Sequence, residues 1–393
     1  WDLTIEQNIL VVCKTPMARS ITRRTLVGFR DTEVHAEYYK NLIENISQNP
    51  DLVVNTLRDG KYFWGINSNE YMTIDAIIGN PPYQVTVAKA DTDNGQKRSS
   101  SIFQHFQTIS DRLARYTALI YPGGRWIHRS GKGMEQFGLE QINDPHLIQL
   151  HYFPNSADIF KDVAIADGIS IVFKDMSKKN DGFTYIYSKS GVSHQIQAAN
   201  PRDDLMPLNP LDISIAAKIK RGVSERFAFL HDSILSQKLF SIESDFVETN
   251  PTLVREYQEG EPLSDDEIKL FTNDKAGKSG RAKWYVASKN VITTGKEQLA
   301  RWKVVVSSAN AGGQKRSNQI AVMDNRSAFG RSRVALKTFF TEQEALNFFD
   351  YCNSKLIRYA FLLTDEALTS LAKLVPDILD YTNDNGILDF KKD

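Results

Sequence analysis

The sequence predicts an α/β domain built on a parallel sheet, followed by a smaller α+β region. Three observations carry that reading: apolar runs of strand length alternate with a helix in the first half, prolines cluster at 200–210, and a basic, strand-rich stretch lies beyond them. At 393 residues the chain exceeds what one hydrophobic core usually organises, so two or three domains are expected.

Each element has its own signal. Met72 to Ile78 is a continuous apolar run, as a buried strand requires; Ile102 to Tyr116 has helical periodicity, and Thr117 to Tyr121 is the next strand, closed by Pro122-Gly123-Gly124. Strand, helix, strand alternation implies parallel pairing. His146 to Phe153 and Gly168 to Phe173 continue the sheet, with Phe183 to Tyr187 at its edge. Three prolines and Arg202-Asp203-Asp204 between Asn200 and Pro210 mark a boundary. Beyond it, Ser264-Asp265-Asp266-Glu267 reads as a capping box opening a short helix. Trp284 to Ala287, Trp302 to Ser307 and Ile320 to Met323 read as strands, and Thr341 with Glu344 caps a helix running to about Tyr359.

Composition narrows the class. Hydrophobic residues at 41% and aromatics at 10% are ordinary for a globular protein, and no run of eighteen apolar residues occurs to span a bilayer. Cys13 and Cys352 lie far apart without metal-ligand spacing, so neither a disulfide framework nor a metal site is expected and a reducing, cytoplasmic setting fits. The chain opens on Trp1 with no signal-peptide pattern, which reads as an excised fragment of a longer polypeptide. The formal net charge of zero hides a partition. From Lys269 to Lys337 fifteen basic residues face only Asp274, Glu297 and Asp324, a local excess of +12. Such a face attracts polyanions or is simply a solvated surface.

The chemistry concentrates at "IDAIIGNPPYQ", residues 74 to 84. In an open α/β sheet, ligands bind at the carboxyl ends of strands, where Asn80-Pro81-Pro82-Tyr83 lies. Two prolines fix φ and remove N–H groups, forcing an extended loop whose carbonyls are free for an external donor. The Asn80 side-chain oxygen and the Pro81 carbonyl suit the two hydrogens of an exocyclic amine, and Tyr83 offers a flat face for stacking.

Asn-Pro-Pro-Tyr after a strand resembles the N6-adenine DNA methyltransferases, and most closely the methylase part of bifunctional type II (IIG-like) restriction–modification enzymes. The downstream order supports the likeness: "SIFQHFQTI" is similar to the helix after the motif, "LIYPGGRWIHRSGKGMEQF" to the next strand and its Arg-Trp loop, and "IFKDVAIADGISIVFKD" to a later strand. "FFTEQEALNFFDYCNSKLIRYAFLL" with "LAKLVPD" resembles the end of the target-recognition region, so the likeness spans roughly 70 to 380.

The resemblance implies a Rossmann-like sheet using S-adenosylmethionine, incomplete at its N-terminus, with a C-terminal α+β target-recognition domain. It implies a catalytic part over 1–200, a connecting region over 201–268 and a recognition domain over 269–393. Asn80, Pro81, Pro82 and Tyr83 would be catalytic, and Asn80, Pro82 and Asp75 would meet the cofactor, Asp75 having a strand-start role as its alternative. Double-stranded DNA would be the partner, with room for a nuclease domain or subunit in the parent polypeptide. The flipped adenine would enter the loop, since its N6 is out of reach in the stack. Lys303, Asn310, Gln314, Lys315, Arg316, Arg331 and Arg333 are the candidate DNA contacts, with Asn318 beside them: Arg pairs with guanine, Asn or Gln with adenine, Lys with phosphate.

Departures from the pattern matter as much. Such families carry a glycine-rich cofactor loop upstream of the motif, yet residues 1 to 79 hold only Gly28, Gly60, Gly65 and Gly79. Ala309-Asn310-Ala311-Gly312-Gly313 comes later inside the basic stretch and reads as a DNA-contacting loop. Trp126 and His128 border the base pocket or are ordinary loop residues; Phe160 and Phe173 read as core; Glu267-Ile268-Lys269 has nuclease-like spacing without its partner and reads as helix surface. Two alternatives stay open: a catalytically inactive recognition or regulatory protein on the same scaffold, and a methyltransferase of protein glutamine or RNA, which the appended basic region disfavours.

Overall fold

The computed structural model describes residues 1–66, 71–87, 98–129, 133–165, 167–223, 227–274, 282–308, 320–364, 371–383 and 388. They divide into two compact units, residues 1–124 with 139–202 and residues 125–138 with 203–393. Among the described residues no helix is long and apolar enough to cross a membrane.

In the first unit, β1 (Leu10–Cys13) and β2 (His35–Tyr38) form a parallel pair. Between them the helix Pro16–Val27 starts where Thr15 Oγ1 accepts from Ala18 N at 3.0 Å and stops at Gly28, whose φ of 63° no β-carbon favours. β3 (Ile74–Gly79) leads into a hairpin of β4 (Gln84–Val87) and β5 (Arg98–Ser101). β6 (Ala114–Pro122), β7 (Leu147–Phe153), β8 (Ile169–Asp175), β9 (Gly182–Lys189) and β10 (Val192–Ala199) complete a six-stranded sheet in the order β10-β9-β7-β8-β6-β3. Ile74 and Ile77 of β3 pack on a cluster that includes Leu42, Ile46, Val53, Val54 and Leu57, each such buried side chain adding about 1.5–3 kcal/mol.

The α/β class is as predicted, but the sheet is mixed. β3 runs parallel to β6 and β7 to β9, whereas β8 lies antiparallel between β6 and β7. Parallel neighbours need a long crossover, usually a helix. Between Phe153 and Ile169 the described residues form only the 3-10 turn Ser156–Asp158, and the chain returns antiparallel. Residues 183–187 are not at the edge either. Ser190 and Gly191, with φ of 51° and 81°, make a two-residue turn that brings β10 alongside β9. The helix expected over 102–116 ends at Leu113, where β6 begins.

The strands of the second unit begin with β11 (Ala228–Phe229) and β12 (Val254–Glu256), followed by β13 (Glu267–Asn273) and β14 (Ala282–Ser288). The capping box at 264–267 opens β13 instead of a helix. Ser264 and Glu267 do bond to each other, but from Ile268 onward burial alternates with period two, and strand pairing wins. β15 (Trp302–Ser307), β16 (Ile320–Met323), β17 (Ser327–Phe329), β18 (Arg333–Phe339) and β19 (Pro376–Asp377) follow. The Thr341 and Glu344 capping box is present, and its helix Glu342–Asn353 breaks at extended Ser354 before a second, Lys355–Leu362. Residues 203–268 also take part in this unit: Leu230 joins the core of β15, β18 and these helices, while Phe240 and Ile242 pack with Ile268, Leu270 and Val305.

Candidate active site

The carboxyl ends of β3 and β6 open at one edge of the six-stranded sheet, because the two strands are parallel with Gly79 opposite Leu119. Ile169 sits opposite Pro122 in the antiparallel β6–β8 pair, which brings the Asp167-Gly168 turn to the same edge. Gly123 N donates to Gly168 O at 2.8 Å and Gly124 N to Asp167 O at 2.9 Å. The glycines are obligatory here. A β-carbon on Gly123 would lie 1.7 Å from Asp167 O, and one on Gly168 would lie 2.1 Å from Phe153 O. Tyr152 Oη donates to Asp167 O at 3.1 Å, and buried Ser156 ties its own loop by donating to Val163 O at 2.7 Å and accepting from Ile165 N at 2.9 Å. The edge is therefore braced on several sides.

Against this frame stands Asn80-Pro81-Pro82-Tyr83. Pro81 is buried, Pro82 and Tyr83 are half-buried, and Asn80 is exposed. Ile102 N donates to Tyr83 O at 3.1 Å, pinning the loop to the foot of the β4–β5 hairpin. Among the described residues nothing bonds to the Asn80 side-chain amide or the Pro81 carbonyl. The Tyr83 hydroxyl is buried without a partner, and burial raises its pKa. Two acceptors and an aromatic ring are thus held in place with their bonding capacity open. Asp75 is not brought to them: it lies on β3 five residues back, about 16 Å at a strand rise of ~3.3 Å per residue.

Residues 1 to 79 bring no glycine-rich turn to the loop. β1 runs through Lys14 and Thr15 into its helix, and β2 through Tyr39 to Asn41, so neither strand-to-helix turn of residues 1 to 79 carries a glycine cradle. Among the described residues no group of three or more His, Cys, Asp or Glu side chains could hold a metal ion.

Residues 7–160 match the Eco57I restriction-modification methylase family. This segment contains the whole Asn80 loop and its β6 neighbour. The chain is also 29% identical over 163 residues to an uncharacterized adenine-specific methylase of Mycoplasma pneumoniae (strain ATCC 29342 / M129 / Subtype 1), a match covering 37% of each protein. The chain accordingly spans 37% of the length of that relative. Among solved structures it is similar to the Type ISP restriction-modification enzyme LlaGI, as a nuclease-deletion mutant with a DNA substrate mimic, at 9% identity and TM-score 0.45 over 95% of this chain and 40% of that one. It is also similar to the Type IIL enzyme MmeI in complex with DNA, at 9% identity and TM-score 0.40 over 87% of this chain and 48% of that one.

The first unit also holds a polar network that the sequence reading missed. Lys174, fully buried, bonds Asp111 Oδ2 at 2.8 Å and Asp144 Oδ2 at 2.5 Å. Gln107 donates to Thr117 Oγ1 at 3.1 Å and accepts from the Tyr121 hydroxyl. A lysine inside the apolar run "ISIVFKD" was the available signal, since a buried ammonium demands carboxylates. His128 is also buried, both ring nitrogens lack partners, and burial lowers its pKa to about 4.

The candidate DNA contacts fare differently. Asn310, Gln314, Lys315, Arg316 and Asn318 lie outside the described residues. Lys303 is a correction: it is fully buried, and its ammonium donates to Gln298 O at 3.2 Å, Leu299 O at 3.0 Å and Arg301 O at 2.6 Å, so no phosphate can reach it. Burial lowers its pKa to about 7. Arg331 pairs with Glu243, Nη2 to Oε1 at 2.7 Å and Nε to Oε2 at 2.6 Å. The half-buried Arg333 guanidinium sits over the Phe271 ring at 5.1 Å, and burial lowers its pKa. Lys283 meets Asp274 at 3.1 Å and Glu256 at 3.8 Å, and Lys337 meets Asp377 at 2.6 Å. Glu243, Glu256 and Asp377 come from outside the basic stretch and neutralise part of its excess.

Proposed function

We propose that this chain is the methyl-transferring and target-reading part of a DNA adenine-N6 methyltransferase of a restriction–modification system. The observation that carries this reading is the pair of open acceptors, Asn80 Oδ1 and Pro81 O, at a glycine-locked sheet edge within the matched segment. The target adenine leaves the duplex, at a few kcal/mol, and stacks on Tyr83. Its N6 hydrogens donate to Asn80 Oδ1 and Pro81 O, which draws electron density onto the nitrogen as it becomes tetrahedral and favours the transition state over the ground state. S-adenosylmethionine, when bound, supplies the methyl group; Asn80 and Pro82 are the residues of this loop that border it. Double-stranded DNA is the partner, and a nuclease domain or subunit belongs to the same system.

Asn80→Ala in the full-length polypeptide tests the reading. Methyl transfer to duplex adenine should fall at least about a hundredfold. The thermal midpoint should stay put, because Asn80 is exposed and its amide supports no other group. Wild-type turnover would refute the assignment. One observation favours a second reading, a recognition scaffold without catalysis: residues 1 to 79 lack a glycine cradle. That reading expects no methyl transfer from the wild type either, with sequence-selective DNA binding retained.

A further inference from the structure

The polar network of the first unit lies between the helix Phe103–Leu113 and the strands β6 and β8, and both sides of it lead to the Asn80 loop. On β6 the period of two puts Thr117 and Tyr121 on one face, and antiparallel pairing sets Lys174 of β8 opposite Thr117. On the helix, Phe103, Gln107 and Asp111 recur at four-residue spacing and meet that strip. Both ends of the Gln107 amide are used: its Oε1 accepts from the Tyr121 hydroxyl, and its Nε2 donates to Thr117 Oγ1 at 3.1 Å and to Asp111 Oδ1. Asp111 continues to Lys174, and Lys174 to Asp144. The Phe103 ring packs on the Tyr121 ring at 4.9 Å.

A buried ionic network commonly adds little net stability over apolar packing of the same volume. What it adds here is direction. A helix bonded in this way cannot slide or turn on β6 without leaving a buried polar group unpaired, whereas an apolar contact tolerates small shifts. The residue that opens the helix, Ile102, is the one whose N–H donates to Tyr83 O at 3.1 Å. The other end of the loop is held to the same strand, through Gly79 opposite Leu119. We propose that Gln107 and Tyr121 are positioning residues for Tyr83: they fix the helix on β6, and Ile102 passes that placement to the ring that stacks on the extruded base. The inference rests on the adenine-methyltransferase reading for what Tyr83 captures. Gln107 and Tyr121 are both fully buried, so they act through Tyr83 and not on the base itself.

Tyr121→Phe in the full-length polypeptide tests this, since it removes the hydroxyl and keeps the ring on Phe103. With a fluorescent adenine analogue at the target, capture of the base should weaken about tenfold and kcat/KM should fall in step, the scale of a small misplacement. Thr117→Val, which deletes the hydroxyl shared by Gln107 and Asp111, should act in the same direction, and Thr117→Ser should restore wild-type capture. Val34→Ala, in the separate cluster of Ile5, Cys13 and Val27, should lower the unfolding midpoint and leave capture unchanged. A double-mutant cycle reads what lost stability alone would not move: in a Tyr83→Ala background, Tyr121→Phe should weaken capture no further. Independently of activity, the Ile102 amide should exchange at least about tenfold faster in Tyr121→Phe than in the wild type, while Val172 of β8, paired on both sides, keeps its protection. Wild-type capture in Tyr121→Phe or Thr117→Val, or a full additional loss on top of Tyr83→Ala, overturns the proposal. An equal loss in Val34→Ala overturns it too, naming stability as the cause. If the wild type methylates adenine and Ile102 keeps its protection in Tyr121→Phe, the methyltransferase reading stands and this inference fails. If Ile102 is released but the wild type neither captures nor methylates adenine, the positioning of Tyr83 stands and the methyltransferase reading fails.

Discussion

The sheet edge around Asn80 and the basic stretch from Lys269 to Lys337 were both expected to act on DNA, and the fold treats them in opposite ways. At the edge, Asn80 and the Pro81 carbonyl have no partner among the described residues, while the surrounding backbone is bonded and glycine-locked. In the basic stretch several of the described cations are engaged by the protein itself: Lys303 by three carbonyls, Arg331 by Glu243, Lys337 by Asp377. A residue type that can bind a ligand is available only where the fold leaves it without a partner. Two acceptors left open among the described residues say more than fifteen charges counted along a sequence.

Lys303 gives the sharpest break of this comparison. Lys303→Ala leaves three carbonyls without their cationic donor and removes a buried stem, so the second unit should lose about 3 kcal/mol in denaturant unfolding. The salt dependence of DNA binding by the folded variant should not change. A flattened slope at unchanged stability would return Lys303 to the DNA interface. Its pH behaviour has a definite sign. The folded pKa is lowered to about 7, against roughly 10.4 in the unfolded chain, so between these values the unfolded state binds the extra proton. Stability of the wild type should therefore rise with pH across that window, and the rise should be missing in Lys303→Ala.

Tyr83 probes the other region with a smaller effect. Tyr83→Ala should weaken capture of the flipped base by about 1–3 kcal/mol, the worth of one base–aromatic stack. A fluorescent adenine analogue at the target would then lose its stacked, quenched signal. Tyr83→Phe should bind the base as the wild type does and be as stable or more so, because the hydroxyl is buried without a partner. A large loss in Tyr83→Phe would mean that the hydroxyl, not the ring, meets the substrate.

Much of this was legible in the sequence where the determinant is local. β15 and β16 fall on the residues whose apolar runs predict them, and Thr341 with Glu344 forms the predicted box because both partners lie within one turn. The Asn80 loop was legible for the same reason, as two adjacent prolines set its shape. What escaped depends on distance or direction. An apolar run reads the same whichever way the strand points, so antiparallel β8 was invisible. Glu243 lies 88 residues from Arg331, and nothing in the basic stretch announces that its charge is already met. At 264–267 a local signal was present and lost to the period-two pattern that follows it.

The remaining cations decide whether the basic stretch binds DNA at all. Lys315 and Arg316 lie outside the described residues, so their part rests on sequence alone. Each phosphate contact contributes about 0.9 to the log–log salt slope. If both residues touch phosphate, Lys315→Gln with Arg316→Gln should flatten the slope by up to about 2 units on cognate and scrambled duplexes alike. If Arg316 reads a guanine, the double variant should instead relax sequence choice at one position. Arg331→Gln should change the slope by less than about 0.5, because Glu243 already neutralises that guanidinium before DNA arrives. Glu243→Gln makes the opposite demand: it frees Arg331, and the slope should steepen by up to about 1 unit. Measured across salt concentrations, equal effects of Arg331→Gln and the double variant would erase the distinction between engaged and open cations. A double variant that matches the wild type on both duplexes at every salt concentration would reduce Lys315 and Arg316 to solvated surface.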